Sequence, residues 1–396
     1  MYKLRDDKSG EMIDLVQVRN LGQLREADIS LGDLTVLVGP QASGKSIFLQ
    51  TVKLTLDYQN IARTIRQQGF DWKEDPNKFL ALYFGEGMQE LWTEKTRIEV
   101  NGEPFDLADS LETSRRKKTE EKLFLIPAQR VITLRNGWPR AFLDYEMGDP
   151  YVVRQFSEHL RRLMEAGLGS GKNAIFPQAG RLNKDLRDAI NQSIFSDAEV
   201  RLDASEMRKR IVLKVNESLL PFMVWSAGQR EFIPLLLGLY ALMPSAGASK
   251  KRAIDWVVIE EPEMGLHPQA ISALLLLVLE LLHRKYRVII STHSPQVLEL
   301  VWAIRMLQDT SSTPEQLLQL FDLHKTPYLQ KMAEANLGKT FHTYYFERTQ
   351  TDVTVRDISE LAPDHPDEIV ADWGGLTGFS TRVSEVISQA VRDSQG

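Results

Sequence analysis

The stretch Leu34-Thr35-Val36-Leu37-Val38-Gly39-Pro40-Gln41-Ala42-Ser43-Gly44-Lys45-Ser46 decides how the chain is read. Its last eight residues fit G-x-x-x-x-G-K-[ST], the phosphate-binding loop. The five before them are an apolar, partly β-branched run that predicts a buried strand. Ile47 to Leu54 follow with apolar residues at helical spacing, so helix is expected from Lys45 toward Gln68. Gly39 and Gly44 let the backbone curl until successive N–H groups face one point, and the helix N-terminus adds partial positive charge. Lys45 can then reach the β- and γ-phosphates, and the Ser46 hydroxyl can ligate Mg²⁺, with Gln41 and Ser43 completing the cradle.

Composition bounds the rest. The 396 residues are 43% hydrophobic and 26% charged, enough apolar content to bury a sizeable core. With no cysteine there is no disulfide, thiolate metal site or cysteine nucleophile. A formal charge of −6 does not advertise broad nucleic-acid binding, although a local basic groove is compatible with it. Met1 to Asp7 hold no apolar signal core. The runs Phe232 to Met243 and Ala270 to Leu282 are too short to span a bilayer, so no membrane is expected and the cytoplasm is the default.

Strands are expected at Met12 to Val18 and Leu24 to Ile29, and a hairpin turning at Asn101-Gly102. The charge run Arg115 to Lys122 reads as a solvated turn rather than a nucleic-acid patch. Lys122 to Ile126 reads as a buried strand, and residues 136–205 as largely helical. Gly169-Ser170-Gly171-Lys172 has neither the first glycine at the right spacing nor a preceding strand, so it reads as a loop. From 254 to 305 strand and helix patterns alternate as in a parallel α/β sheet. The tail, 309–396, reads as helix, two short strands and a final helix after Gly378.

Three further motifs complete the picture. Ile254 to Ile259 is an apolar strand ending in Glu260-Glu261-Pro262. At the carboxyl end of a parallel strand, the first acid can hold Mg²⁺ through water and the second can orient or deprotonate the attacking water. Val288 to Ile290 run into Ser291-Thr292-His293-Ser294-Pro295, which caps a helix and sets His293 where it can hydrogen-bond a γ-phosphate oxygen. Trp225-Ser226-Ala227-Gly228-Gln229-Arg230 opens another helix, with Ser226 as cap and Gly228 permitting close backbone approach.

Taken in order, these segments resemble the ATP-binding-cassette (ABC) ATPases: Walker A at 39–46, signature at 226–230, Walker B at 256–261 and switch histidine at 293. The resemblance implies an α/β ABC-ATPase head over 1–308, a P-loop sheet with antiparallel β elements and a helical insertion at about 136–205. A small α+β extension, 309–396, follows it. It also implies ATP and Mg²⁺ as cofactors and a homodimer in which Ser226, Gly228 and Gln229 of one copy close on ATP held by the other. Gln129, after the strand ending at Ile126, is the candidate Q-loop glutamine, touching nucleotide and metal. Two positions depart from the ABC pattern: Glu260 stands where Asp is usual, and Ala227 where Gly is usual.

The long gap from Lys45 to the signature is unlike a transporter subunit. Glu260-Glu261-Pro262-Glu263-Met264-Gly265-Leu266-His267-Pro268 and Leu125-Ile126-Pro127-Ala128-Gln129-Arg130 are similar to segments of the prokaryotic OLD and RecF/SMC-like ATPases, many of which sit in anti-phage defence systems. OLD proteins carry a Toprim nuclease after the ATPase; residues 309–396 are too few for one. The seven histidines form no H-N-H arrangement. The resemblance therefore implies a sensor and scaffold ATPase of the PARIS or Septu type, answering a phage trigger and controlling a separately encoded effector. The alternative is a DNA-maintenance ATPase of the RecF kind that clamps DNA; salt-dependent stimulation of ATPase activity by duplex DNA discriminates the two.

Overall fold

The computed structural model describes residues 13–395 apart from 74, 114–118, 169–172, 206–207, 245–249, 252 and 311. The strand start at Met12, Arg115 to Lys118, the Gly169 to Lys172 loop and most of a further loop that the sequence predicts at 244–252 lie outside the described residues.

The strands run β1 Leu15–Leu21, β2 Leu24–Ser30, β3 Leu34–Val38, β4 Trp92–Val100, β5 Glu103–Pro104 and β6 Leu123–Ile126. Next come β7 Leu134–Arg135, β8 Trp138–Pro139, β9 Ala174–Phe176, β10 Glu199–Asp203, β11 Arg210–Val215 and β12 Ser218–Pro221. The last are β13 Trp256–Glu260, β14 Arg287–Ser291, β15 Phe341–Arg348 and β16 Val353–Asp357. Helices that frame the site are α1 Lys45–Gln67, α2 Tyr151–Ala166, α3 Ala227–Leu242, α4 Pro268–His283 and α5 Pro295–Asp309, with α6 Gly378–Gln395 at the end.

Ten strands form one sheet in the order β5-β4-β1-β2-β16-β15-β3-β14-β13-β6. From β15 to β6 every neighbour is parallel, whereas β5, β4, β1 and β2 pair antiparallel. The parallel strands β3 and β13 are buried at every residue, as a sheet covered on both faces requires. Alternation along them feeds two cores. Leu37, Val258 and Ile289 pack with Phe48, Leu49 and Val52 of α1 on one face. Val36, Ile259 and Ile290 pack with α3, α4 and α5 on the other.

Two expectations are revised. The 136–205 stretch does carry helix, at α2 and at Lys184–Ile190, but it also supplies β9 and β10 to a second, four-stranded sheet in the order β12-β11-β10-β9. Short strands of mixed burial such as Glu199–Asp203 lack the clean alternation that marks a strand in sequence. The two strands expected in the tail form, yet they do not build a separate unit. β15 pairs parallel with β3, from Phe341 opposite Leu34 to Tyr345 opposite Val38, and β16 pairs with β2. Pairing across some three hundred residues leaves no trace in local pattern.

Candidate functional site

Register assembles the site. Leu37 of β3 lies opposite Ser291 of β14, and Ser291 lies opposite Glu260 of β13. Three parallel strands thus end side by side, and each delivers one motif to the same rim. From β3 comes the 39–46 loop, from β14 Thr292 and His293, and from β13 Glu261.

The loop is held from several sides. Gly39 has φ +145°, and a Cβ there would lie 2.7 Å from the Phe346 carbonyl oxygen on β15. Gly44 caps α1 with φ +88°, and Ala42 is also left-handed at φ +55°. Gln23, in the β1–β2 turn, donates to the Ala42 carbonyl. Lys45 is buried and folds back, its Nζ donating to the Gly39 and Pro40 carbonyls at 2.8 Å each and to Ser43 Oγ at 3.3 Å. Burial pushes its ammonium down to about 8, while Glu261 and Glu263 pull the other way. Gln41 and Ser46 are exposed at the loop surface.

Glu260 is fully buried, and burial pushes its carboxyl up to about 7 against hydrogen bonds from the Ala128 N–H and the Ser46 hydroxyl. Its Oε1 is buried with no hydrogen-bond partner. An orphaned buried carboxylate oxygen beside the Ser46 hydroxyl fits a divalent cation, which would neutralise the charge that burial disfavours. Ser46 and Glu260 are the residues that would hold Mg²⁺. Among the described residues no group of three or more His, Asp or Glu is arranged to hold a metal. Such a cation would therefore take most of its ligands from phosphate oxygens and water.

Glu261 sits at φ +40°, uncommon for a residue with a side chain, and its N–H donates to the Ser291 carbonyl at 2.9 Å. Its Oε1 lies 3.6 Å from His293 Nε2. Burial, followed by the nearby Lys45, lowers the His293 pKa from its ordinary value, which favours the neutral ring that can both donate and accept. The turn carrying it is fixed by Glu263, whose Oε1 accepts from Thr292 Oγ1 at 2.8 Å and from the His293 N–H at 2.7 Å. Lys45, Ser46, Glu260, Glu261 and His293 are thereby brought together.

The expected signature and glutamine residues fare differently. Ser226 caps α3 as half of a capping box, its Oγ accepting from the Gln229 N–H while Gln229 Oε1 accepts from the Ser226 N–H. Ser226 and Ala227 are exposed. Gln229 Nε2 donates to the Ile194 carbonyl at 3.2 Å. A Cβ on Gly228 would lie 2.9 Å from the Gly265 carbonyl, so this glycine admits the turn after the acids. Among the described residues no hydrogen bond joins Ser226 or Gly228 to the 39–46 loop. Gln129 is exposed; it is the Ala128 N–H beside it that reaches Glu260.

Two residues not anticipated hold the site in shape. Arg130 is completely buried and donates to the carbonyls of Glu231, Glu260 and Glu261 at 3.2, 3.0 and 3.1 Å. One guanidinium therefore ties the start of α3 to both acids. Glu263 is the other. Both sit inside segments singled out in the sequence, but an arginine after a strand gives no sign that it will be buried.

Among curated proteins, none matches this sequence. The profile of a family described as "AAA domain, putative AbiEii toxin, Type IV TA system" matches residues 154–299, which include α3, Glu260, Glu261 and His293 but not the phosphate loop. Among solved structures, the chain is similar to an SMC head bound to the C-terminal winged-helix domain of ScpA (9% identity, TM-score 0.42, covering 88% of this chain and 97% of that one). It is also similar to an SMC head domain from Thermotoga maritima (13% identity, TM-score 0.36, 88% and 99% covered). A third is a dimeric bacterial ABC transporter cassette (10% identity, TM-score 0.32, 71% and 89% covered). These are loose likenesses of shape. Among the described residues no helix is long and apolar enough to cross a membrane.

Proposed function

We propose that the chain binds ATP with Mg²⁺ on the 39–46 loop and hydrolyses it slowly, as an ABC-type ATPase. The observation that carries this reading is the adjacency of β3, β14 and β13, which sets Lys45, His293 and the Glu260-Glu261 pair on one rim. Mg²⁺, when bound, would screen phosphate charge. Lys45 would exchange the Gly39 and Pro40 carbonyls for phosphate oxygens. Glu261 would take the proton of an attacking water, and His293, beside it, would hold the γ-phosphate in place.

The exposed start of α3 supports closure of two copies, each offering Ser226 and Ala227 to the nucleotide of the other. ATP binding and dimerisation are then linked by mass action, with hydrolysis as the release. In the cell, we infer, the ATPase acts as a sensor and scaffold for a separate effector in anti-phage defence. The acidic balance of the chain supports this over a DNA clamp, and the toxin–antitoxin description of the matched family is in keeping with it.

Replacing Glu261 by Gln tests the enzymatic part. The variant should bind ATP, turn it over at least about a hundredfold more slowly, and run as an ATP-dependent dimer on gel filtration. Full turnover by E261Q would move the base elsewhere.

A further inference from the structure

Between the β7–β8 hairpin and the β11–β12 pair lies a cleft of about 710 Å³ that nucleotide chemistry leaves unused. Its charge runs against the composition. Five cationic side chains line it against two acids, in a chain of net charge −6. The acids are already engaged: Glu165 pairs with Arg161 at 2.6 Å, and Asp144 Oδ2 accepts the Ala141 N–H at 2.9 Å. Arg210 pairs with Asp203, and Arg140 stacks over Tyr145. Arg135, Arg208 and Lys209 remain, exposed and, among the described residues, with no carboxylate in ion-pairing reach.

The hairpin wall is fixed in place. The Ile211 N–H donates to the Gly137 carbonyl at 2.8 Å, and a Cβ on Gly137 would lie 2.8 Å from the Ile211 carbonyl. The hairpin is therefore seated directly on β11, so this wall needs little ordering when an occupant binds. Beside Asn136, the rest of the lining is apolar and in part accessible. Trp138 is half-buried, Met223 is 62% exposed, and Leu143 and Val224, beside lining residues, are 60% and 62% exposed.

Arginine, tryptophan and methionine are the residue types enriched at protein interfaces. Exposed thioether and aliphatic side chains do not stack on bases, whereas nucleic-acid grooves rely on open aromatic faces. They do pack against leucine and phenylalanine. A cationic cleft in a chain of net charge −6 steers an acidic partner toward it.

We propose that the cleft docks an acidic segment of a partner protein in which carboxylates are interspersed with large apolar side chains. The assignment stands apart from the ATPase reading, since no lining residue belongs to the nucleotide rim. The test is fluorescence anisotropy on the full, nucleotide-free chain. The probe is a short labelled peptide of Glu and Asp with Phe at every third position. Two competitors are used, the same peptide with Gln and Asn for the acids, and oligothymidylate. Saturable binding is expected, weakened about tenfold or more in R135E/R208E/K209E and severalfold in M223D, with melting temperatures unchanged. The uncharged peptide should not compete. No binding by the native chain, equal binding by the triple variant, or tighter binding of oligothymidylate through the same residues would each overturn the proposal.

Discussion

Glu260 and Lys45 carry charges that their surroundings disfavour, and both are testable through pH. The Glu260 carboxyl is raised to about 7, above its value in an unfolded chain. Its favourable contribution to stability is therefore complete below the ordinary carboxylate range and is lost as pH rises through about 7. E260Q removes that loss. Relative to the native chain it should gain up to about 3 kcal/mol of unfolding free energy between about pH 5 and about pH 8, read from urea titrations at each pH. The same variant should need far more Mg²⁺ for nucleotide binding. An unchanged pH dependence would mean that Glu260 is not the strained group. For Lys45 the sign is opposite. Its ammonium is lowered to about 8, and phosphate oxygens would restore it. ATP binding near pH 8.5 should then take up a fraction of a proton, seen as a buffer-dependent heat in calorimetry that fades by about pH 7. Equal heats in all buffers at the higher pH would contradict this.

Among the elements, the junction of α3, β13 and the segment after β6 is where position is enforced. Arg130 satisfies three carbonyls from two of them, so R130M should leave buried acceptors unpaired and cost about 3 kcal/mol or more. Denaturant unfolding measures this, and a loss under about 1 kcal/mol would deny Arg130 its role as a tie. G228A meets the Gly265 carbonyl at 2.9 Å and must push α3 from the turn after Glu261. Turnover should fall more than ATP affinity does. Glycine loop, strand-end acids and Thr-His-Ser turn were readable because each is a local pattern with a physical reason for its spacing. Ties made by Arg130 and Glu263 were not, because they join segments distant in sequence. Gln229 was readable as a helix-start residue, but its amide is spent on the capping box and on Ile194.

For the whole molecule, the sheet sets what can be removed. A head ending near residue 308 was the natural reading of the motif order, since every motif lies before it. Yet β15 and β16 separate β2 from β3, and Phe346 of β15 touches the phosphate loop through Gly39. A chain stopped before residue 341 would expose two strand edges at the centre of the sheet. It should be insoluble or lack a cooperative melt; a soluble, ATP-binding 1–308 fragment would show the tail to be dispensable. The α/β class and the parallel order around 254–305 were visible in alternating patterns, while the place of the tail depends on register that only folding reveals. The claim on which the rest depends is that the rim formed by β3, β14 and β13 is a nucleotide site. Calorimetric titration of ATP with Mg²⁺ into the native chain and into K45A tests it most directly. One saturable event per chain in the native protein is expected, with none detectable in a K45A protein that melts as the native one does. ATP affinity retained by K45A, or a native chain that binds no nucleotide, would contradict the account.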